Sequence, residues 1–206
     1  MMSEMFWISY ALLWVLVIFM AALLLLVYRH FGLMALGTVD GVQRDGLPVG
    51  VVAPSFTGMS ASDEIKDWPG PHPLGVLLFA APGCEPCAKV LPHVQSLQQL
   101  APELSVTVVV AGSSENATLI ANKYKLTGDC LADRGTDVFG KFKVRVSPFA
   151  FVVDRDGRIR AKGLCTDPFR LRDLLDAGGL ADIARRLDAT IARPPTTFLA
   201  ASNGVS

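Results

Sequence analysis

The apolar positions of this chain fall into distinct patterns. Residues 6–28 carry no charged side chain, and as a helix such a stretch is roughly 34 Å long, enough to cross a bilayer. Trp7, Tyr10 and Trp14 lie toward one end and Tyr28 and Arg29 mark the other, as interfacial anchors do. One membrane span is therefore expected at 6–28, after a stub at 1–5. A cleaved signal peptide would have a shorter apolar region, about 7 to 15 residues, and an Ala-x-Ala site, which does not follow here. Residues 29–46, with Gly32, Gly37, Gly41 and Gly46 and little periodicity, read as a linker. From 47 to 179, short apolar runs alternate with stretches of helical period, the pattern of an α/β domain.

Within that domain, Val49–Val52 and Ser55–Met59 read as a hairpin around Pro54. Ser60–Pro73, rich in Asp, Pro and Gly, reads as a loop in which Trp68 is a packing residue. Leu74–Phe79 is a buried strand, followed by a helix through Leu91, Val94, Leu97 and Leu100. Ser105–Val110 is the clearest strand by its β-branched content. Glu115–Tyr124 reads as a helix, Asp129–Ala132 as a short strand, and Asp133–Phe142 as a second helix capped by Asp133. Phe149–Val153 and Arg158–Leu164 form a hairpin about the charged turn Asp154–Gly157. Pro168–Ala177 closes the domain as a helix. Leu180, Ile183, Leu187 and Ile191 give one more amphipathic helix, docked on the domain or on a membrane surface, and after Pro194 and Pro195 the rest of 180–206 reads as a disordered tail.

The candidate chemistry sits where the central strand turns into a helix, at Cys84-Glu-Pro-Cys87. A spacing of three places the two Cα atoms within the ~4.4 to 6.8 Å that a disulfide tolerates. At a helix start, unpaired N–H groups and the positive end of the dipole favour a thiolate on Cys84, the attacking sulfur, while Cys87, one turn in, is the shielded resolving thiol. Pro86 suits the first turn because its missing N–H has no intrahelical partner there. Glu85 opposes ionisation of the neighbouring thiol. A structural disulfide or half of a zinc site remains the alternative.

Composition narrows the picture. The chain has 206 residues, 51% of them hydrophobic, and no formal net charge, which leaves room for one domain with its own core and gives no basic surface for nucleic acid. The motif needs no cofactor or metal beyond the redox-active disulfide itself. His72 and His93 read as loop or solvated residues. His93 stands two turns along the Cys helix and is badly placed for a copper site with Cys84 and Cys87. Cys130 and Cys165 are expected as packed thiols, separated by three or four strand spacings of ~4.8 Å and so not bonded to each other.

The order strand, Cys-x-x-Cys helix, strand, helical insert, Pro, hairpin, helix resembles the thioredoxin fold. Pro92 stands five residues after Cys87, at that family's kink proline, and Ser147-Pro148 matches its cis-proline loop. The resemblance implies a cis Ser147-Pro148 bond facing Cys84, and a central mixed sheet flanked by helices with an N-terminal hairpin and a central insert. Gly50-Val-Val-Ala-Pro54-Ser-Phe56, the 115–132 insert and Cys84-Glu-Pro-Cys87 resemble the membrane-anchored TlpA and ResA branch, extracytoplasmic thiol:disulfide oxidoreductases. A closer likeness, through the anchor and Ser147–Leu164, is to the MauD proteins, accessory to methylamine dehydrogenase.

Departures from the family pattern matter as well. Leu78 stands six residues before Cys84, where cytosolic thioredoxins bury an acid. Val90 stands three after Cys87, where ResA-like proteins carry a Glu, and Gly83 replaces the usual aromatic before the first Cys. No general base is evident near the resolving thiol. A peroxidase would need a Thr ahead of its reactive Cys, and none is there. The resemblance implies an anchored oxidoreductase with Cys84, Cys87 and Pro148 as catalytic residues and Glu85, Pro86 and Ser147 modulating them. It acts through a mixed disulfide on a thiol- or disulfide-bearing exported client, methylamine dehydrogenase-like or a c-type cytochrome, with an upstream thiol donor or acceptor in the membrane. A non-catalytic binding or chaperone protein is the second reading, which the missing acids favour and the intact cysteines oppose. Arg29 and Arg44 follow the span, so the positive-inside count weakly favours a cytoplasmic C-terminal part. A tethered dithiol with further cysteines suits an oxidising space, and the folded domain is expected on the periplasmic side.

Overall fold

The computed structural model describes residues 2–34, 45–70 and 74–191. The chain divides into two compact units, 1–44 and 45–206. In the first, α1 (Met2–Met34) is a single helix, and its described side chains between Trp7 and Leu25 include a long series of exposed large apolar groups. Side chains on α1 are described for residues 7, 8 and 10–25 alone, and among the described residues no helix is long and apolar enough to cross a membrane. His72, most of the expected linker and the tail beyond 191 lie outside the described residues.

The second unit is built on a seven-stranded mixed sheet. Its strands are β1 (Phe56–Ser60), β2 (Ile65–Trp68), β3 (Gly75–Ala80), β4 (Ser105–Ala111), β5 (Cys130–Asp133), β6 (Phe149–Val153) and β7 (Ile159–Leu164), in the order β2-β1-β5-β4-β3-β6-β7. β3, β4 and β5 run parallel, joined by crossover helices, and β6 returns antiparallel to β3. The central strand β3 is buried on both faces, which is why its sequence is continuously apolar rather than alternating.

The two faces have different fillings. Val76, Leu78 and Ala80 face a core shared with α2 (Glu85–Leu100), α3 (Ser114–Tyr124), α5 (Pro168–Ala177) and α6 (Ala181–Ile191). On the other face Phe79 meets the rings of Phe139, Phe142 and Phe151, and Phe142 in turn meets Phe56 and Trp68. The short α4 (Asp137–Lys141) supplies Phe139. Both fillings brace β3, the strand that delivers Cys84.

Several sequence expectations are corrected. The N-terminal hairpin is β1 with β2, not 49–52 with 55–59. The polar residues read as a loop make its turn: Ser60 Oγ accepts from the N–H groups of Ser62 and Glu64, and Asp63 takes φ 59°. Gly50–Ala53 instead line the free edge of β7, where Gly50 N donates to Ile159 O, Ile159 N to Val51 O and Ala53 N to Gly157 O. The helix expected over 133–142 shortens to α4, because Asp133 ends β5 and its carboxylate accepts the Phe139 N–H at 2.9 Å. Asp45 and Gly46 belong to the folded unit, and α6 buries Ile183, Ala184 and Leu187 on the domain rather than offering them to a membrane.

Candidate active site

Geometry at the end of β3 follows from local rules. Strand β3 stops at Ala80, Gly83 takes φ 71°, and Cys84 becomes the N-cap of α2 with extended backbone angles. The Cys87 N–H donates to Cys84 Sγ at 3.1 Å, filling the capping role that Ser or Asp usually takes. Pro86 sits in the first turn, and Pro92 lies inside the helix. Cys84 and Cys87 are joined by a disulfide with Cα atoms 5.2 Å apart. Cys84 is partly exposed, whereas Cys87 is 2% exposed, so Cys84 carries the more accessible sulfur of the pair.

Across from the disulfide lies the loop before β6. The Ser147-Pro148 peptide is cis, as the resemblance implies, and the Ser147 carbonyl oxygen is 3.7 Å from Cys84 Sγ. A second cis bond, Trp68-Pro69, was not anticipated from sequence. Pro148 is buried, and its carbonyl accepts the Cys165 N–H at 2.9 Å, which secures the loop to the end of β7. Two of the anticipated site residues thus face the other four across a gap bridged only by non-covalent contact.

Electrostatics around the pair are sparse. Glu85 Oε1 is 3.1 Å from Lys89 Nζ on the exposed surface of α2. That i, i+4 partner lay in the sequence and offsets the charge expected to oppose ionisation of Cys84, although an exposed pair of this kind contributes little to stability. Leu78 and Val90, the positions where relatives of this fold carry acids, are wholly buried. His93 is half-buried on α2, and burial pushes its pKa down. Among the described residues no cluster of His, Cys, Asp and Glu could hold a metal ion, so the half-zinc-site alternative finds no companion ligands there.

Cys130 and Cys165 are buried free thiols, and burial raises both to about 12. Three strands separate β5 from β7, in keeping with the expectation that they do not bond. Because the thiolate is the reactive form, a shift from 9.0 to about 12 lowers its population by roughly 10³-fold at any pH below both values. Reduced, native protein is therefore expected to be alkylated at the partly exposed Cys84 long before Cys130 or Cys165, with all four modified only on unfolding. Mass spectrometry of timed alkylation checks this, and early labelling of Cys130 or Cys165 would contradict the burial.

A disulfide capping a helix, faced by a cis-proline loop on a mixed sheet, is the arrangement of a thioredoxin-like thiol-disulfide oxidoreductase. Residues 49–162 match the AhpC/TSA family, and the chain belongs to that family. It is 31% identical over 185 residues to the methylamine utilization protein MauD of Methylorubrum extorquens, covering 85% of this chain and 88% of that one. It is 28% identical over 127 residues to the thiol-disulfide oxidoreductase ResA of Bacillus cereus, covering 58% and 72%. The fold is shared with a putative thiol:disulfide interchange protein DsbE from Chlorobium tepidum, at TM-score 0.55 and 18% identity over 68% of this chain and 98% of that one.

Proposed function

We propose that the chain is a membrane-anchored, extracytoplasmic thiol-disulfide oxidoreductase that cycles Cys84 and Cys87 during maturation of a particular exported protein. The observation that carries the reading is the partly exposed Cys84, whose sulfur accepts the Cys87 N–H and lies opposite the Ser147-Pro148 loop. The charge-free stretch at 6–28, within α1, supports the anchor. The likeness to MauD over most of both chains supports a client of the methylamine dehydrogenase kind, with a c-type cytochrome as the other candidate.

In the reducing direction, Cys84 thiolate attacks one sulfur of a client disulfide, and the other client sulfur leaves as a thiolate. Cys87 then gives up its proton and attacks Cys84 Sγ. The second client sulfur is released, and two electrons have passed from the dithiol to the client. The oxidising direction runs the same steps backward, and a membrane thiol donor or acceptor resets the pair. Each of these steps is sulfur-to-sulfur exchange and needs no metal, nucleotide or flavin at Cys84 and Cys87. With Leu78 and Val90 in place of acids, proton removal from Cys87 falls to water or to the client, which suits a slow, partner-specific enzyme.

Orientation is tested by labelling intact cells with a membrane-impermeant maleimide after mild reduction. The proposal expects modification of Cys84 in intact cells. Labelling only after lysis would place the domain on the cytoplasmic side and overturn this part of the reading.

A further inference from the structure

We propose that Asp45 is a positioning residue for the cis-proline loop, holding Arg145 so that the Ser147 carbonyl stays beside Cys84. The proposal rests on the oxidoreductase reading for its consequence, but its geometry stands separately. The Asp45 side chain is 5% exposed. A carboxylate so far from water is tolerated only when paired and hydrogen-bonded. Both oxygens are spent on one residue: Oδ1 accepts from Arg145 Nε at 3.0 Å and Oδ2 from the Arg145 backbone N–H at 3.2 Å. Arg145 lies two residues before Ser147.

The surrounding backbone makes this a clamp rather than a chance pair. Gly46 N donates to Lys143 O at 2.9 Å and Leu47 N to Phe142 O at 3.0 Å, so backbone bonds tie 46–47 to 142–143 beside the side-chain pair. Lys143 has φ 55°, a left-handed conformation that a non-glycine residue keeps only when its neighbours hold it. From the other side, Lys162 Nζ on β7 donates to the carbonyls of Asp45 and Gly46 at 2.8 and 3.1 Å. Gly46, at φ 71°, passes so close to the rings of Phe149 and Phe151 that a Cβ would lie 2.8 Å from each. Phe149 directly follows Pro148. The segment thus grips the loop on both sides of the Ser147-Pro148 bond, and a buried carboxylate where an apolar side chain would cost less fits a demand for geometry.

The Ser147 carbonyl oxygen disfavours a thiolate on Cys84, both through its partial negative charge and by accepting from the protonated thiol. Releasing the loop lowers the Cys84 pKa. Glu85, which follows Cys84 and pairs with Lys89 on α2, and Arg145, two residues before Ser147 and paired with Asp45, are the charged groups that set the background. Simple charge removal is separated from loop release by comparing two variants. Deleting the Asp45 charge lowers the Cys84 pKa by either route, whereas deleting the Arg145 charge raises it electrostatically and lowers it through loop release.

The experiment uses the full chain in detergent, reduced, with the pH profile of Cys84 alkylation recorded for wild type, Asp45→Ala, Asp45→Asn and Arg145→Ala. The proposal expects all three variants to shift the profile to lower pH, with about three- to tenfold more thiolate at a fixed pH below the midpoint. An unmoved profile in a folded Asp45 variant, or opposite shifts for Asp45→Ala and Arg145→Ala, overturns it. Asp45→Asn keeps an acceptor for the Arg145 N–H and guards against simple unfolding. A wild-type Cys84–Cys87 pair that does not open and re-form its disulfide reversibly would remove the oxidoreductase reading, while the alkylation profiles of the reduced chain would still decide the clamp.

Discussion

Replacing Cys84 by Ser is expected to abolish disulfide exchange, by about 10³-fold or more in rate, while leaving the fold intact. The hydroxyl can still accept the Cys87 N–H and cap α2, since Ser is among the preferred N-cap residues. It cannot form the mixed disulfide. Cys87→Ser has a different outcome. Cys84 remains partly exposed and nucleophilic, so the first attack proceeds, but with Cys87 gone nothing buried beneath it can complete the exchange. The variant should accumulate a covalent adduct with its client, reversible by dithiothreitol and visible on non-reducing gels. Recovery of that adduct also names the client. If Cys84→Ser retained client maturation, the fold would be serving as a binding protein, the second reading of the sequence.

The second large effect concerns stability. Phe142→Ala is expected to cost about 3–5 kcal/mol, the range for emptying a buried aromatic site. That is a large part of the ~5–15 kcal/mol by which domains are stable. Phe142 has no exposed surface. Its ring lies 5.9, 5.7, 5.3 and 5.4 Å from those of Phe56, Trp68, Phe79 and Phe151. These neighbours come from β1, β2, β3 and β6, so no single element can collapse into the void. Phe142 O also accepts the Leu47 N–H, next to the Asp45 clamp. Urea denaturation with unchanged slope and a lowered midpoint would show the loss, and a cost below about 1 kcal/mol would mean that the aromatic layer is not a packed unit.

The central strand, the Cys helix, the β6–β7 hairpin and α5 were legible in the sequence because each carries a local signal: a continuous apolar run, a helical period, a Gly-bearing turn, a Pro at a helix start. The Cys84 and Cys87 geometry was legible for the same reason, since a spacing of three on a helix fixes it. The N-terminal hairpin was misplaced because apolar Val49–Val52 looks more strand-like than Ile65-Lys-Asp-Trp68. β2 is an edge strand with one buried residue, and its pairing is decided by the Ser60 turn and the packing of Trp68 on Phe56. Asp133 was read as the cap residue of a helix; the sheet continues through it and Thr136 holds the N-cap position, yet its carboxylate does accept the Phe139 N–H in the first turn of α4. The Asp45 and Arg145 pair is separated by 100 positions, and no local pattern in a single chain reports such a contact.

Redox titration of the Cys84–Cys87 pair, in the full chain equilibrated with glutathione or dithiothreitol buffers and read by alkylation, tests the central claim most directly. The account expects the two thiols to appear together in one two-electron step, reversibly, with the step lost in Cys84→Ser. A midpoint near ~−270 mV would assign the chain to reduction of its client and one near ~−120 mV to oxidation. A disulfide that stays closed across that range, or thiols that appear one at a time without reversal, would contradict the account and leave a structural staple in place of a redox centre.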